Sequence, residues 1–495
     1  RRRIERFERR TVHRRGRSVG GPYGLGFENG SQSRGLRDVG LPASREDRQK
    51  AGMEVSPVLI RFQQMMESDW AEALLLGLLV AAVIMVLFVA FRAYRPLLFL
   101  LALGMAFSGS QSGVAGSMVL LRYGALLSLA VLGFQGLSRL RFSGKLMLGL
   151  AVYMILTSCF SIHALYSIQV TVAFFLLCLG VIGATSAYVQ DIGQVRKVLA
   201  VIALVALVWC VVMLMPGYQA SYKYQSALGR GQSLAIATGI LAPFLLWSFF
   251  QTNQNRFFRY LSLCAFVILI PLLVMMGQRI GIFSAVIGAF PLVLLRLDVR
   301  RILLGVITIV VVSVATVQVL GLLRPDVKDM LKYKFIEKKT DMGGRDLRWR
   351  LLLNRCIESP VIGHGGGMGD AAVAQYFGTG AHNSYLGFWY DYGFVGLLSL
   401  LTLIGVTFYR LATLMRRPCS ETKEAIRLLF GVFLALASGA FFESTLASPT
   451  AIHAGLFLLV FALSDVLWSF SNGPQQGCHA AYAYEPEEFS EVISY

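Results

Sequence analysis

Charge is scarce in this sequence. Only 15% of its 495 residues are Asp, Glu, Lys or Arg, against about a quarter in an ordinary soluble chain. Hydrophobic residues make up 56%. A very apolar soluble core would not explain how they are arranged. Apolar runs of about 18 residues or more recur from residue 71 to residue 470, each long enough to cross roughly 30 Å of hydrocarbon. Cysteine is also sparse. The seven (Cys159, Cys178, Cys210, Cys264, Cys356, Cys419 and Cys478) are scattered. No C-x-x-C pair occurs, so neither a zinc site nor a disulfide framework is supported. No G-x-x-x-x-G-K-[ST] loop occurs, which argues against an ATP-driven pump. No repeat with a period of about 20–50 residues stands out.

The apolar runs predict an all-α, polytopic membrane protein with about 12–13 transmembrane helices, because a span must satisfy its own backbone in lipid. The runs lie near 71–91, 96–112, 121–138, 145–162, 165–189, 195–215, 231–250, 258–276, 280–296, 302–323, 384–409, 427–446 and 450–470. The second is diluted by "FSGSQSGVAGS". The short basic loops "SRLRFSGK", "QVRK", "NRFFR", "RLDVRR" and "YRLATLMRRPCSETKEAIR" fall at every second turn, which marks the cytoplasmic side. The other face then carries residues 216–230, the turn at 277–279, residues 324–382 and "ESTLASPT". The chain divides into a basic N-terminal extension, 1–70; spans over 71–323; an external loop with short helices, 324–383; spans over 384–470; and a cytoplasmic tail, 471–495.

The N-terminus resists this scheme. It opens "RRRIERFERR", without Met, although span 71–91 would start outside. Its local flanks, "MESDWAE" before and "FRAYR" after, agree with an outside start. The first fifty or so residues are expected to be disordered, or to reflect an extended or mis-assigned start. A basic tail also resembles a nucleic-acid or anionic-lipid arm. This one lacks interleaved aromatics, so nucleic acid is not an expected partner. It also inflates the net charge of +18.

The loop 324–382 is the one long segment between spans, and long loops tend to be functional. "RPDVKDMLKYKFIEKK" suits a surface amphipathic helix. "GGRDLRWRLLLNRCIESP" has helical apolar spacing and stops at Pro360. A glycine-rich turn, "VIGHGGGMGD", follows, and then His382.

Taken in order, "GGRDLRWRLLLNRCIESPVIGHGGG" and "HNSYLGFWYDYGFVGLL" resemble the O-antigen ligase and polymerase family. The likeness rests on an Arg and a Trp at one-turn spacing, a P-x-x-G-x-G turn, and H-N-S-x-L entering a helix with G-x-x-G. Two arginine motifs upstream, "LGRGQSLAIATGI" and "MMGQRIGIFSAVIGAF", stand in the family's order. The family usually has Ser before the second arginine; this chain has Gln278. The resemblance covers roughly residues 95–470. It implies a bacterial inner-membrane glycosyltransferase with its active site facing the periplasm. Such an enzyme takes a glycan from undecaprenyl pyrophosphate and passes it to another glycan, a lipid A core or a protein hydroxyl. No cofactor and no metal are implied.

The residues can be weighed beside that resemblance. Arg230 and Arg279 sit at the outer ends of apolar helices. Snorkelling to lipid headgroups is the bland alternative. Each heads a helix, however, whose N-terminus already favours anions, and a guanidinium grips phosphate through two parallel bonds. His382 is the candidate base, since histidine as a residue type suits taking a proton from a hydroxyl. Spacing alone would make it a solvated or capping residue; the motif and the outside position favour the base. Asn383 and Ser384 read as helix caps. His364, in the glycine turn, reads as structural. Arg345 and Trp349 share one helix face and either hold the loop or touch sugar. Glu443, in the last external turn, is placed to orient His382 or an arginine. The rival function is a transporter or flippase for a lipid-linked glycan or small solute. Such proteins often show matching halves and broken helices at mid-depth. No matching halves are visible here, and the charged residues gather at one face.

Overall fold

The computed structural model describes residues 94–107, 115–214, 232–251, 254–276, 278–294, 345–377, 380–416, 420–444 and 451–472, together with 311, 314, 318 and 446. All belong to one compact unit, Met65–Tyr495. The sequence-predicted span 71–91, all of 302–323 except residues 311, 314 and 318, the N-terminal extension, Arg230 and most of the C-terminal tail lie outside the described residues.

The described residues form an all-helical membrane protein, with no strand among them. The helices, labelled in order, are α1 (Tyr94–Phe107), α2 (Ala115–Phe134), α3 (Phe142–Ser158), α4 (Ala164–Cys178), α5 (Ala184–Tyr188), α6 (Ile192–Leu214), α7 (Gln232–Phe250), α8 (Arg256–Met275), α9 (Arg279–Leu294), α10 (Arg345–Cys356), α11 (Met368–Phe377), α12 (Ser384–Met415), α13 (Ser420–Gly439) and α14 (Ile452–Asn472). A π turn, Leu179–Gly183, runs α4 into α5. Among the described residues, five helical stretches are long and apolar enough to cross a membrane: Ala164–Tyr188, Ile192–Leu214, Arg256–Val274, Ser384–Met415 and Ile452–Asn472. α10 and α11 are short and less apolar.

Helices in lipid gain little from burying apolar surface, so small residues that let backbones approach decide the packing. α7 and α9 meet in this way. A side-chain carbon at Gly239 would fall 2.1 Å from the carbonyl oxygen of Gly281. One at Gly439, the last residue of α13, would stand 3.5 Å from Ile236 Cγ2 and 3.8 Å from Ser284 Oγ. The first two turns of α7 and α9 therefore gather beside the end of α13, four residues before Glu443. Far along α12, roughly 40 Å from its start at 1.5 Å per residue, Arg410 pairs with Asp465 of α14. Arg410 Nη1 also donates to Ser143 Oγ at 2.7 Å, so this ion pair ties α3, α12 and α14 together.

The sequence pattern predicts one continuous span over 384–409. The helix is instead longer and broken at Gly393, whose φ is +65°. The break frees two carbonyl groups, and the turn after Pro360 takes them up. His364 N donates to Tyr390 O at 2.9 Å and Gly365 N to Asp391 O at 2.8 Å, while Phe394 N donates to Pro360 O at 2.7 Å. The backbone groups are thus satisfied where the helix fails, as burial requires. Only glycine fits here: a Cβ on Gly393 would lie 2.0 Å from Val361 O. The buried Asp391 carboxylate then accepts N–H bonds from Gly367 at 3.0 Å and Gly369 at 2.6 Å, seating the glycine loop and the start of α11 on α12.

Candidate active site

α10, α11 and the start of α12 share a small core of Leu352, Cys356, Ala372, Val373, Ala381 and Tyr390. This core carries His382. The histidine has φ +52° and is the one described non-glycine residue with positive φ. Such a backbone costs about 1–3 kcal/mol and persists when its surroundings over-determine it.

They do so here. On the N-terminal side, Trp349 Nε1 donates to Ala381 O at 3.1 Å, and Ala381 N donates to Asp370 Oδ1 at 2.8 Å. On the C-terminal side, Asn383 N donates to Ser444 Oγ at 3.3 Å and Ser384 N to Ala440 O at 2.8 Å. Ser384 Oγ donates to Glu443 O at 2.7 Å and accepts from Leu446 N at 3.1 Å. Asn383 caps α12, its side chain accepting from Leu386 N at 3.0 Å. The cap and the clamp are thus one device: the residues that start the helix also hold the turn at 440–446.

That turn delivers Glu443. His382 Nδ1 stands 3.1 Å from both Oε1 and Oε2 of Glu443. A carboxylate accepts, so in the neutral imidazole Nδ1 carries the hydrogen and Nε2 keeps its lone pair. Among the described residues Nε2 has no hydrogen bond. Glu443 is buried, and a quarter of the His382 side chain is exposed. A histidine held by a buried carboxylate, with its second ring nitrogen open, is an arrangement able to accept a proton.

The other sequence-predicted residues fall around this pair. Arg345, which opens α10, lies over the Phe442 ring, 6.0 Å from its centroid. Burial lowers its guanidinium pKa, the charge of Glu443 opposes this, and Arg348 adds to the lowering. Trp349 holds the backbone beside His382. Arg279 opens α9 at the bundle end where α13 hands over to the Glu443 turn; its side chain is exposed. His364 stacks on Tyr390 with centroids 4.3 Å apart and takes no place beside His382. Among the described residues, no three His, Cys, Asp or Glu side chains group as metal ligands.

The sequence pattern did not single out Asp370. It lies in the first turn of α11, and its Oδ1 also accepts from Ser444 Oγ at 2.9 Å. No motif flagged it, because an acidic residue in the first turn of a helix is commonplace.

No curated protein matches the chain. Residues 264–401 match the family model described as O-antigen ligase. That segment includes α9, α10, α11, His382 and the broken first half of α12. The likeness drawn from "HNSYLGFWYDYG" and its neighbours is supported by this match. Residues 264–401 of this multi-pass membrane protein are therefore similar to O-antigen ligases, and the match supports a general function in membrane glycan transfer.

Proposed function

We propose that the protein is a glycosyltransferase that moves a glycan from a polyprenyl pyrophosphate to an acceptor hydroxyl at the periplasmic face of the inner membrane. The observation that carries this reading is the His382–Glu443 pair, held in a strained backbone with Nε2 open. In the reaction, Nε2 takes the acceptor's hydroxyl proton. The acceptor oxygen bonds to the anomeric carbon, and the bond from that carbon to the pyrophosphate oxygen breaks. Attack opposite the leaving group inverts the linkage, so an α-linked donor gives a β-linked product. Glu443 stabilises the imidazolium that forms. Arg279, at the N-terminus of α9 where anions are favoured, and Arg230 hold the pyrophosphate as its charge grows. No step requires a metal.

The arrangement also explains why a histidine stands at the entrance of a span. The donor's lipid stays in the bilayer while the acceptor arrives from water, so base and cations must meet at that boundary. A transporter would not need an oriented base there. The test is His382→Ala. Donor affinity should remain, and turnover should fall about 100- to 10,000-fold, the usual contribution of a positioned proton acceptor. Normal turnover, or loss of donor binding, would remove His382 from this role.

A further inference from the structure

We propose that Asp370 is a second acceptor-binding residue, one oxygen anchoring the His382 loop and the other receiving a hydroxyl of the incoming sugar. This inference rests on the transferase reading above. Oδ1 is occupied: it accepts from Ala381 N at 2.8 Å and Ser444 Oγ at 2.9 Å. Oδ2 has no hydrogen bond among the described residues, and the side chain is exposed. The fixed Oδ1 therefore aims a carboxylate oxygen outward beside the base. The proximity is chain-deep on both sides. Ala381 is the neighbour of His382, and Ser444 is the neighbour of Glu443.

Electrostatics agree with the placement. The surrounding protein raises the Asp370 carboxyl above its ordinary value; the bonds from Ala381 and Ser444 and the charge of His382 oppose this, and Glu443 adds to it. The solvent-facing side screens part of that effect. A carboxylate oxygen with spare capacity recognises donors, and the donors a glycan acceptor offers are hydroxyls. The chemistry assigned is thus a polyol acceptor. Two hydroxyls of one sugar would engage, one giving its proton to His382 and a second donating to Asp370. That pairing would select which hydroxyl of the sugar reacts.

Asp370→Asn separates the two jobs. Its carbonyl oxygen can still accept from Ala381 and Ser444. The opposite orientation would point an amide N–H at the Ala381 N–H, so the bonds select the first. The outward oxygen then becomes an N–H donor. Asp370→Ala loses both jobs. The assay uses an undecaprenyl-pyrophosphate-linked oligosaccharide as donor. The acceptor is whichever the wild type uses best among a lipid A-core oligosaccharide, a repeat-unit oligosaccharide and a serine peptide. Both variants should raise the acceptor KM about 10- to 150-fold, the range for a lost hydrogen bond to a charged group, with donor affinity unchanged. An Asn variant like wild type overturns the inference, whether or not the Ala variant is impaired. If the variants do not purify folded, wild-type enzyme with acceptors lacking one hydroxyl at a time decides. One hydroxyl whose loss, with the reacting one intact, raises KM by a similar factor supports the contact; uniform tolerance overturns it. A wild type that transfers no glycan sinks the transferase reading and the inference with it. Wild-type transfer with an unaffected Asn variant sinks only the inference.

Discussion

Glu443→Gln tests the core of the site. In the proposed step His382 takes the acceptor's proton, and the resulting imidazolium would face the Glu443 carboxylate across 3.1 Å. Two unit charges at that distance attract by about 5 kcal/mol at an effective dielectric of 20, and by about 1.3 kcal/mol in water. Glu443 is buried while His382 keeps an exposed edge, so a value between these limits applies, about 3 kcal/mol. At 1.36 kcal/mol per factor of ten, this corresponds to roughly a 150-fold loss of turnover. The limits themselves bracket about 10-fold and about 10,000-fold. Glutamine keeps the volume and a carbonyl oxygen that accepts from Nδ1–H, so the ring should stay in place and the donor should still bind. The assay is product formation by the purified variant at saturating donor, with donor affinity measured by calorimetry on the same preparation. Turnover within threefold of wild type would refute the argument, because the charge of Glu443 would then contribute nothing to the step.

Other outcomes follow from the same geometry. Arg279→Ala should cost about 100-fold or more in turnover if it faces growing charge, and Arg279→Lys should recover only part, since lysine lacks the planar fork; full activity in the alanine variant would leave the pyrophosphate role unsupported. Gly393→Ala must place a Cβ 2.0 Å from Val361 O at positive φ; the backbone preference alone costs roughly 1–3 kcal/mol, so the detergent-solubilised variant should melt lower, and an unchanged melting temperature would contradict the broken helix. A single cysteine at Leu347, which is exposed, in a chain cleared of native cysteines should react with an impermeant thiol reagent on intact spheroplasts; labelling only after lysis would reverse the proposed orientation.

The parts of this protein legible in its sequence are those governed by local physics. Apolar run length announces the helices, because a span must be helical and long enough for hydrocarbon whatever surrounds it. Asn383 reads as a cap from its neighbours alone, since a cap bonds an amide three residues away. The motif around His382 marks a site for the same reason, being contiguous.

What the sequence left open is set by contacts between distant segments. Glu443 had two possible partners. It stands against His382 and its charge also acts on Arg345, because α13 ends beside α12, 61 positions along the chain. "WYDYGFVG" reads as uninterrupted helix, because nothing local shows that residues 360–365 arrive to satisfy the freed carbonyls at Gly393. Asp391 looks like a membrane-embedded charge until the amides of Gly367 and Gly369 close around it. Asp370 carries no signal at all, for its value lies in which backbone amide and hydroxyl tertiary packing brings to it. Local geometry follows from composition and spacing; the partners of a carboxylate follow only from the fold.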